Sequence, residues 1–279
     1  MTALRTATEV VRPLDVADLA ALRVLVDAEP YANAVIAARL DAVQTLDPEL
    51  LGVGEAALSA ACYAGGTLLP IGGDAEAWTA LAAFLGARRR PCSSIVGPAE
   101  TLSVLWPELS SFWGAARVVR PAQPLLVLDR PASVSSDPLV RPAHVEELDS
   151  YLPAAAAMFA EELGIAPLRG PKAHAYRARL AEVVAAGRAL VRTDAEGQVV
   201  FKADIAAVSR HTAQVQGVWV RPDRRGLGIA TGAMAAVIDY ALRLAPSVSL
   251  YVNDFNRPAR RLYERLGMRQ VGTLSTVLF

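Results

Sequence analysis

Between Gln214 and Ala245 an extended apolar segment, an arginine- and glycine-rich turn and a long alanine-rich run follow one another, and no other stretch limits the fold as much. Val215-Gln216-Gly217-Val218-Trp219-Val220 reads as a strand. Arg221-Pro222-Asp223 ends it, because proline donates nothing to a sheet ladder and restrains the residue before it. From about Thr231, the spacing of Met234, Val237, Ile238, Ala241 and Leu242 marks one buried helix face. Arg224-Arg225-Gly226-Leu227-Gly228-Ile229-Ala230 lies between the two. Glycines leave backbone NH groups uncovered and a helix start carries partial positive charge, so this turn can cradle a diphosphate with help from its arginines.

The turn departs from two nucleotide motifs. Gly232 falls one place too late for the G-x-G-x-x-G of a dinucleotide fold, and too little chain follows. No lysine stands where G-x-x-x-x-G-K-[ST] needs one. A purely structural strand-to-helix turn would also use a glycine pair, so the turn alone does not decide.

The residues downstream narrow the choice. Arg225-Gly226-Leu227-Gly228-Ile229-Ala230 fits R/Q-x-x-G-x-G/A. Leu250-Tyr251-Val252-Asn253-Asp254-Phe255-Asn256 follows as a strand ending in asparagine. Ala259-Arg260-Arg261-Leu262-Tyr263-Glu264-Arg265-Leu266-Gly267-Met268 fits A-x-x-L-Y-x-x-x-G-F with methionine in the last place, which preserves apolar volume. In this order and spacing the chain resembles the GCN5-related N-acetyltransferases (GNAT).

The resemblance implies an α/β (α+β) fold, a mixed, mostly antiparallel twisted sheet flanked by helices and splayed to admit acetyl-CoA as co-substrate. It assigns the pyrophosphate to the loop of Arg224, Arg225, Gly226, Leu227, Gly228, Ile229, Ala230 and Thr231, and the thioester to the backbone of Val218, Trp219 and Val220. Asn253, Asn256 and Arg260 fall to the rest of the cofactor, and Tyr263 to the tyrosine that protonates the departing thiolate. The chemistry agrees: a free thiol titrates at about 8.5 and a phenol at about 10, so the phenol can supply the proton.

The acceptor amine must lose a proton. A lysine-like amine of pKa about 10.4 is neutral in about one part in a few thousand at pH 7, so a base or a water chain is required. Many family members carry a glutamate on the strand before the signature. Here Gln214 and Gln216 occupy that region and cannot act as bases. Asp204, on the neighbouring strand, can point into the cleft or into solvent. Glu161 and Glu162 end a helix beside a loop of Gly164, Pro167, Gly170 and Pro171; they can serve the acceptor site or form a solvated helix end, where acidic groups oppose the dipole at a mild cost. His174 and His211 read as a surface residue or cap, and Trp219 as core packing.

An internal repeat organises the whole chain. Val11-Arg12-Pro13-Leu14-Asp15-Val16-Ala17-Asp18-Leu19 returns as Val140-Arg141-Pro142-Ala143-His144-Val145-Glu146-Glu147-Leu148, a short strand and then a capped helix. The first half follows the same order of elements but has only Gly72-Gly73-Asp74 where the second has its arginine-glycine turn, a poor diphosphate site. We therefore expect tandem domains: residues 1–130 as a degenerate GNAT-like copy, 131–138 as a linker of proline and serine, and 139–279 as the catalytic domain. In the first half we expect helices at 16–27, 31–44, 75–88 and 99–109, and strands at 57–62, 67–71, 92–96, 116–119 and 125–128. At full length the chain resembles a two-domain actinobacterial subgroup, through Phe159 to Pro167, Val200 to Asp204, Gln216 to Val220 and Leu250 to Asn256.

Composition excludes other classes. Lys+Arg and Asp+Glu are equal at 28 each, so no overall field draws the chain to nucleic acid or an acidic membrane. The uncharged run from Ala56 to Gly73 is broken by Gly65, Gly66 and Pro70, which excludes a membrane helix. Cys62 and Cys92 read as reduced, buried thiols without metal spacing. Arg5, Glu9 and Arg12 precede any long apolar run, so a cytoplasmic location is expected. Two functions fit: acetyl transfer to a primary amine, small molecule or protein, by direct attack in a ternary complex, or a non-catalytic acyl-CoA sensor. Acceptor and oligomeric state are left open.

Overall fold

The computed structural model describes residues 10–42, 46–55, 57–170 and 173–279. Expectations placed on Arg5, Glu9, the helix end at Gln44, Ala56 and Pro171 lie outside them. The chain forms two compact units. One comprises the chain to Leu125 with Tyr251–Phe255 and Gln270–Phe279; the other comprises Leu126–Leu250 and Asn256–Arg269.

The first unit contains β1 (Val11–Pro13), α1 (Leu19–Ala28), α2 (Ala34–Ala42), β2 (Leu50–Val53), β3 (Ala60–Ala64), β4 (Thr67–Gly72), α3 (Ala75–Gly86), β5 (Ser94–Pro98) and α4 (Ala99–Trp113), and most of β6 (Val118–Leu128). Strands β1 to β4 pair antiparallel in sequence order, and β4 pairs parallel with β5. Period-two alternation explains the layers. Ala61 and Tyr63 of β3 join Leu22, Ile36 and Leu40 of α1 and α2 on one face. Ala60 and Cys62 join Trp78, Leu81 and Leu105 of α3 and α4 on the other. Cys62 and Cys92 are both free and buried, and burial raises both thiols above their ordinary pKa.

The second unit runs through β7 (Arg141–Pro142), α5 (Leu148–Leu163), α6 (Ala173–Ala185), β8 (Ala189–Thr193), β9 (Val199–Val208), β10 (Ala213–Val220), α7 (Ile229–Ala241), β11 (Val248–Tyr251) and α8 (Arg257–Leu266). Strands β7 to β10 pair antiparallel in order, and β10 pairs parallel with β11. Tyr151, Leu152 and Ala155 of α5 pack with Tyr176, Leu180 and Val184 of α6 and with Trp219. In α7, Met234, Val237, Ile238 and Ala241 are all buried, the face that the helical spacing predicts. Both units thus have the expected mixed, mostly antiparallel sheet flanked by helices.

The structure differs from the sequence reading in three places. Leu50–Val53 is a strand, fully buried; four residues with a glycine among them are too short an apolar run to announce it. Residues 116–119 and 125–128 were expected as two strands, but Val118–Leu128 is one. Its prolines are tolerated because the carbonyls of Ala122 and Pro124 carry bonds, accepting from Asp254 and Val252. The third is β12 (Arg269–Leu278), whose residues 274–278 pair antiparallel with 98–94 of β5, so that the end of the chain completes the first unit's sheet. Within the expected linker 131–138, the backbone and Asp137 are tied to the second unit. Ser133 N donates to Leu266 O and Asp137 N to Gly232 O, while Asp137 pairs with Arg192 at 3.0 Å.

The repeat is realised to the hydrogen bond. Arg12 forks onto Asp18 at 2.7 and 2.6 Å, and Arg141 onto Glu147 at 2.7 and 2.7 Å. Each carboxylate also accepts the NH at the turn start, Asp15 at 2.9 Å and His144 at 2.7 Å. These bonds, the arginine's first, hold both carboxyls down at about 2. A depressed carboxyl contributes stability above its unfolded pKa near 4 and loses it as pH falls through the folded value. We expect both forks to open between about pH 4 and pH 2, which carboxyl NMR titration checks; midpoints near 4 would refute them.

Candidate functional site

The second unit is built around the parting of β10 from β11. Only Ala213 and Gln214 are in register with Val248 and Ser249, so the edge of β10 beyond Gln214 runs on without that partner. The splay has a local cause on the other side of the strand. Gln216 pairs with Asp204 of β9 and Trp219 with Lys202, leaving Gly217 and Val218 opposite the single residue Ala203. This is a β-bulge, and Gly217 takes the left-handed conformation it requires, φ +59°.

Past β10 a short 3₁₀ turn over Pro222–Arg224 leads into the signature loop. Residues 222–228 are exposed. Gly226 and Gly228 have φ of +76° and +78°, and a side-chain carbon at either would meet nothing within 4 Å. Gly228 starts α7 with no side-chain cap; of the first-turn NH groups, that of Thr231 bonds back to Gly228 O at 3.2 Å. The first unit has the matching parallel pair, Thr67 and Leu68 with Ser94 and Ile95, but there Asp74 caps α3 by accepting from Glu76 N and Ala77 N at 3.1 and 3.0 Å. The donors that would hold an anion are consumed by the chain itself. A diphosphate therefore fits the second unit's turn and not the first's.

The expected loop residues are contiguous, but Arg225 is engaged. Its Nε donates to Val220 O at 2.9 Å and its Nη2 to Glu161 Oε2 at 2.7 Å, while Trp219 Nε1 donates to Glu161 Oε1 at 3.0 Å. Partial burial pushes Glu161 up, but the bonds from Trp219 and Arg225 outweigh it and hold the carboxyl below its ordinary value. Glu161 thus clasps the end of α5 to β10 and the loop, and both its oxygens are committed. Arg224 lies 3.5 Å from Asp223, and Leu227 is exposed.

Asp204 does not meet the requirement of an accessible base. It is buried, Lys202 Nζ lies 2.6 Å from its Oδ2, and the Tyr151 hydroxyl donates to Oδ1. Both its oxygens are taken and neither is open to an incoming amine. Lys202 and Tyr151 were not singled out from sequence. The available signal was a lysine and an aspartate two apart in an otherwise apolar strand, in a chain with only two lysines.

Tyr263 is buried on α8, and burial first, then the charge of Glu162, raises its pKa. Glu162 stands at the exposed end of α5. Asn256 begins α8 and its Oδ1 accepts from Ala259 N at 3.2 Å; Arg260 lies in the next turn. Asn253 belongs to the first unit, where its Oδ1 accepts from Gln123 Nε2 at 2.9 Å. Among the described residues no cluster of His, Cys, Asp and Glu could hold a metal, and no helix is long and apolar enough to cross a membrane.

A splayed sheet with an uncapped glycine turn after its departing strand characterises this mixed α/β unit. In comparison with known proteins, residues 146–268 match the model of the Acetyltransferase (GNAT) family. Residues 48–151 match a domain of unknown function, DUF4081. The fold is similar to a GCN5-related N-acetyltransferase from Sphaerobacter thermophilus at 18% identity and TM-score 0.63, covering 98% of this chain and 95% of that one. It is also similar to an acetyltransferase from Colwellia psychrerythraea at 12% identity and TM-score 0.57, covering 97% and 99%. A tandem GNAT protein from the clavulanic acid biosynthesis pathway matches at 16% identity and TM-score 0.54, covering 96% and 98%. No curated protein sequence matches the chain. The family supports acyl-CoA-dependent acetyl transfer in general, and the structural neighbours support the fold.

Proposed function

We propose that the protein transfers the acetyl group of acetyl-CoA to a primary amine by direct attack in a ternary complex. The observation that carries this reading is the uncapped turn at Gly228 opening beside the free edge of β10. Backbone NH groups from Gly226 to Thr231 would hold the diphosphate, and the edge from Val218 to Val220 would pair with the pantetheine arm and meet the thioester oxygen. The amine nitrogen bonds to the carbonyl carbon, the carbon–sulfur bond breaks, and the sulfur leaves with a proton from Tyr263. Asp204 is buried against Lys202 and Tyr151, and Glu161 is bonded to Arg225 and Trp219; we assign the amine's proton to Glu162, the exposed carboxylate at the end of α5.

Tyr263→Phe is expected to bind acetyl-CoA within about twofold of wild type while turnover falls about a hundredfold or more. Glu162→Gln is expected to leave the reaction dependent on amine already neutral in solution, so that the rate climbs about tenfold per pH unit between 7 and 9. Calorimetry and thiol release against a panel of amines read both. Parallel pH profiles for wild type and Glu162→Gln would remove Glu162 from the chemistry.

Gln216 stands exposed on β10 where a carboxylate base would serve, and this favours one competing reading, a non-catalytic acyl-CoA sensor. Wild-type protein that binds acetyl-CoA tightly but releases no thiol with any amine or peptide would select it.

A further inference from the structure

We infer that Lys202, Asp204 and Tyr151 are positioning residues that hold the Gly217–Val218 bulge in the shape the acyl site needs; the acyl-site part rests on the transferase reading above. Lys202 and Asp204 flank Ala203, the residue that faces the bulge, and the pairings Gln216 with Asp204 and Trp219 with Lys202 close the bulge at its two ends. Two residues apart on β9, their side chains leave the strand on one face and meet at 2.6 Å. Tyr151 reaches them from α5, its hydroxyl bonded to Asp204 and its ring 5.2 Å from the ammonium. Lys202 and Tyr151 are 0% exposed and Asp204 4%.

Gly217 rests directly on this group. A side-chain carbon there would lie 3.0 Å from Lys202 Nζ, 3.0 Å from Met158 Cε and 3.1 Å from Asp204 Oδ2. The charged pair and the glycine therefore fit only as a set. Stability does not account for them, because a buried ion pair loses so much hydration that apolar residues of equal volume stabilise as well or better. What charge adds is direction: the ammonium and the carboxylate fix each other's place, and with it the path of β10 over them.

The molecule supplies its own comparison. The corresponding ladder of the first unit, β3 with β4, runs from Ala60–Gly72 to Ala64–Leu68 without a register shift. Strand β3 reads Ala-Ala-Cys-Tyr-Ala and carries no charge. Among the described residues, bulge and buried pair are both absent from the unit whose helix start has an aspartate cap, and both present in the unit whose helix start has no side-chain cap.

The test uses the full chain with Lys202→Met and Asp204→Asn combined, which removes both charges at close to the original volume and leaves the Tyr151 hydroxyl an acceptor, and Tyr151→Phe as a second variant. Thermal melting of the double variant is expected close to wild type, and that of Tyr151→Phe lower, because it leaves an Asp204 oxygen buried without its donor. Amide NMR signals of Gly217 and Val218 are expected to shift or broaden while those of β8 stay in place. Unchanged Gly217 and Val218 signals in the double variant would overturn the positioning role. Affinity for CoA is expected within about twofold of wild type and amine-dependent thiol release at least about tenfold slower, since a misplaced backbone donor weakens transition-state contacts more than ground-state binding. Release within threefold of wild type would overturn the link to the acyl site. Wild-type protein that fails to bind acetyl-CoA would instead refute the transferase reading, and the amide signals would still decide the bulge.

Discussion

Gly228→Asp is expected to abolish acetyl-CoA binding, weakening it at least about a hundredfold, which corresponds to roughly 2.7 kcal/mol. The substituted carboxylate would sit at the start of α7, where nothing now lies within 4 Å and the first-turn NH groups have no side-chain cap. An aspartate there would do what Asp74 does for α3, taking the NH groups two and three residues on. It would also set a negative charge against the diphosphate. The left-handed backbone, φ +78°, adds strain of roughly 1 kcal/mol for any side chain. Gly228→Ala isolates that strain, and is expected to weaken binding only severalfold. Calorimetry with a melting curve for each variant checks this; wild-type affinity in Gly228→Asp would end the assignment of the loop as the diphosphate site.

The parts of this site that were legible in the sequence are the parts whose chemistry is local. A glycine that must turn left-handed before a helix, arginines beside it and a proline ending the strand before it all act over a few residues, so their letters suffice. The repeat was legible for the same reason: Arg12 with Asp18 and Arg141 with Glu147 are six residues apart, and each fork closes its own turn. Asp204 was not legible. Whether a strand carboxylate meets solvent, a cleft or a lysine depends on β-sheet register and on Tyr151, 53 positions away. Glu161 and Glu162 are adjacent in sequence and read alike, yet the rotation of roughly 100° between neighbours on a helix gives only the first the contacts with Arg225 and Trp219. The bulge was equally hidden, since Gly217 in an apolar strand reads as a weak strand residue until the ladder with β9 is counted.

Deleting residues 270–279 should unfold the first unit, although these residues follow the entire signature region in sequence. Strand β12 supplies five ladder positions along β5, from Leu274 opposite Pro98 to Leu278 opposite Ser94. Leu274, Val277 and Leu278 are all buried. Burying each such side chain contributes roughly 1.5–3 kcal/mol, so the three together represent roughly 5–9 kcal/mol before any ladder bond is counted. Phe279 adds edge contacts to Trp106 and Trp113 at 5.6 and 6.0 Å and lies under the Arg90 guanidinium at 4.0 Å. A domain is stable by roughly 5–15 kcal/mol in all, and the loss is of that size. It would also leave β5 as a bare edge beside an opened apolar face, a template for aggregation. The two cysteines make the effect measurable unit by unit, because Cys62 and Cys92 both lie in the core cluster that Val277 joins. Thiol labelling of the truncated chain should approach the rate of unfolded protein, where wild type is protected. If both thiols stay protected and the melting curve is unchanged, β12 is an accessory strand and the first unit closes its core without it.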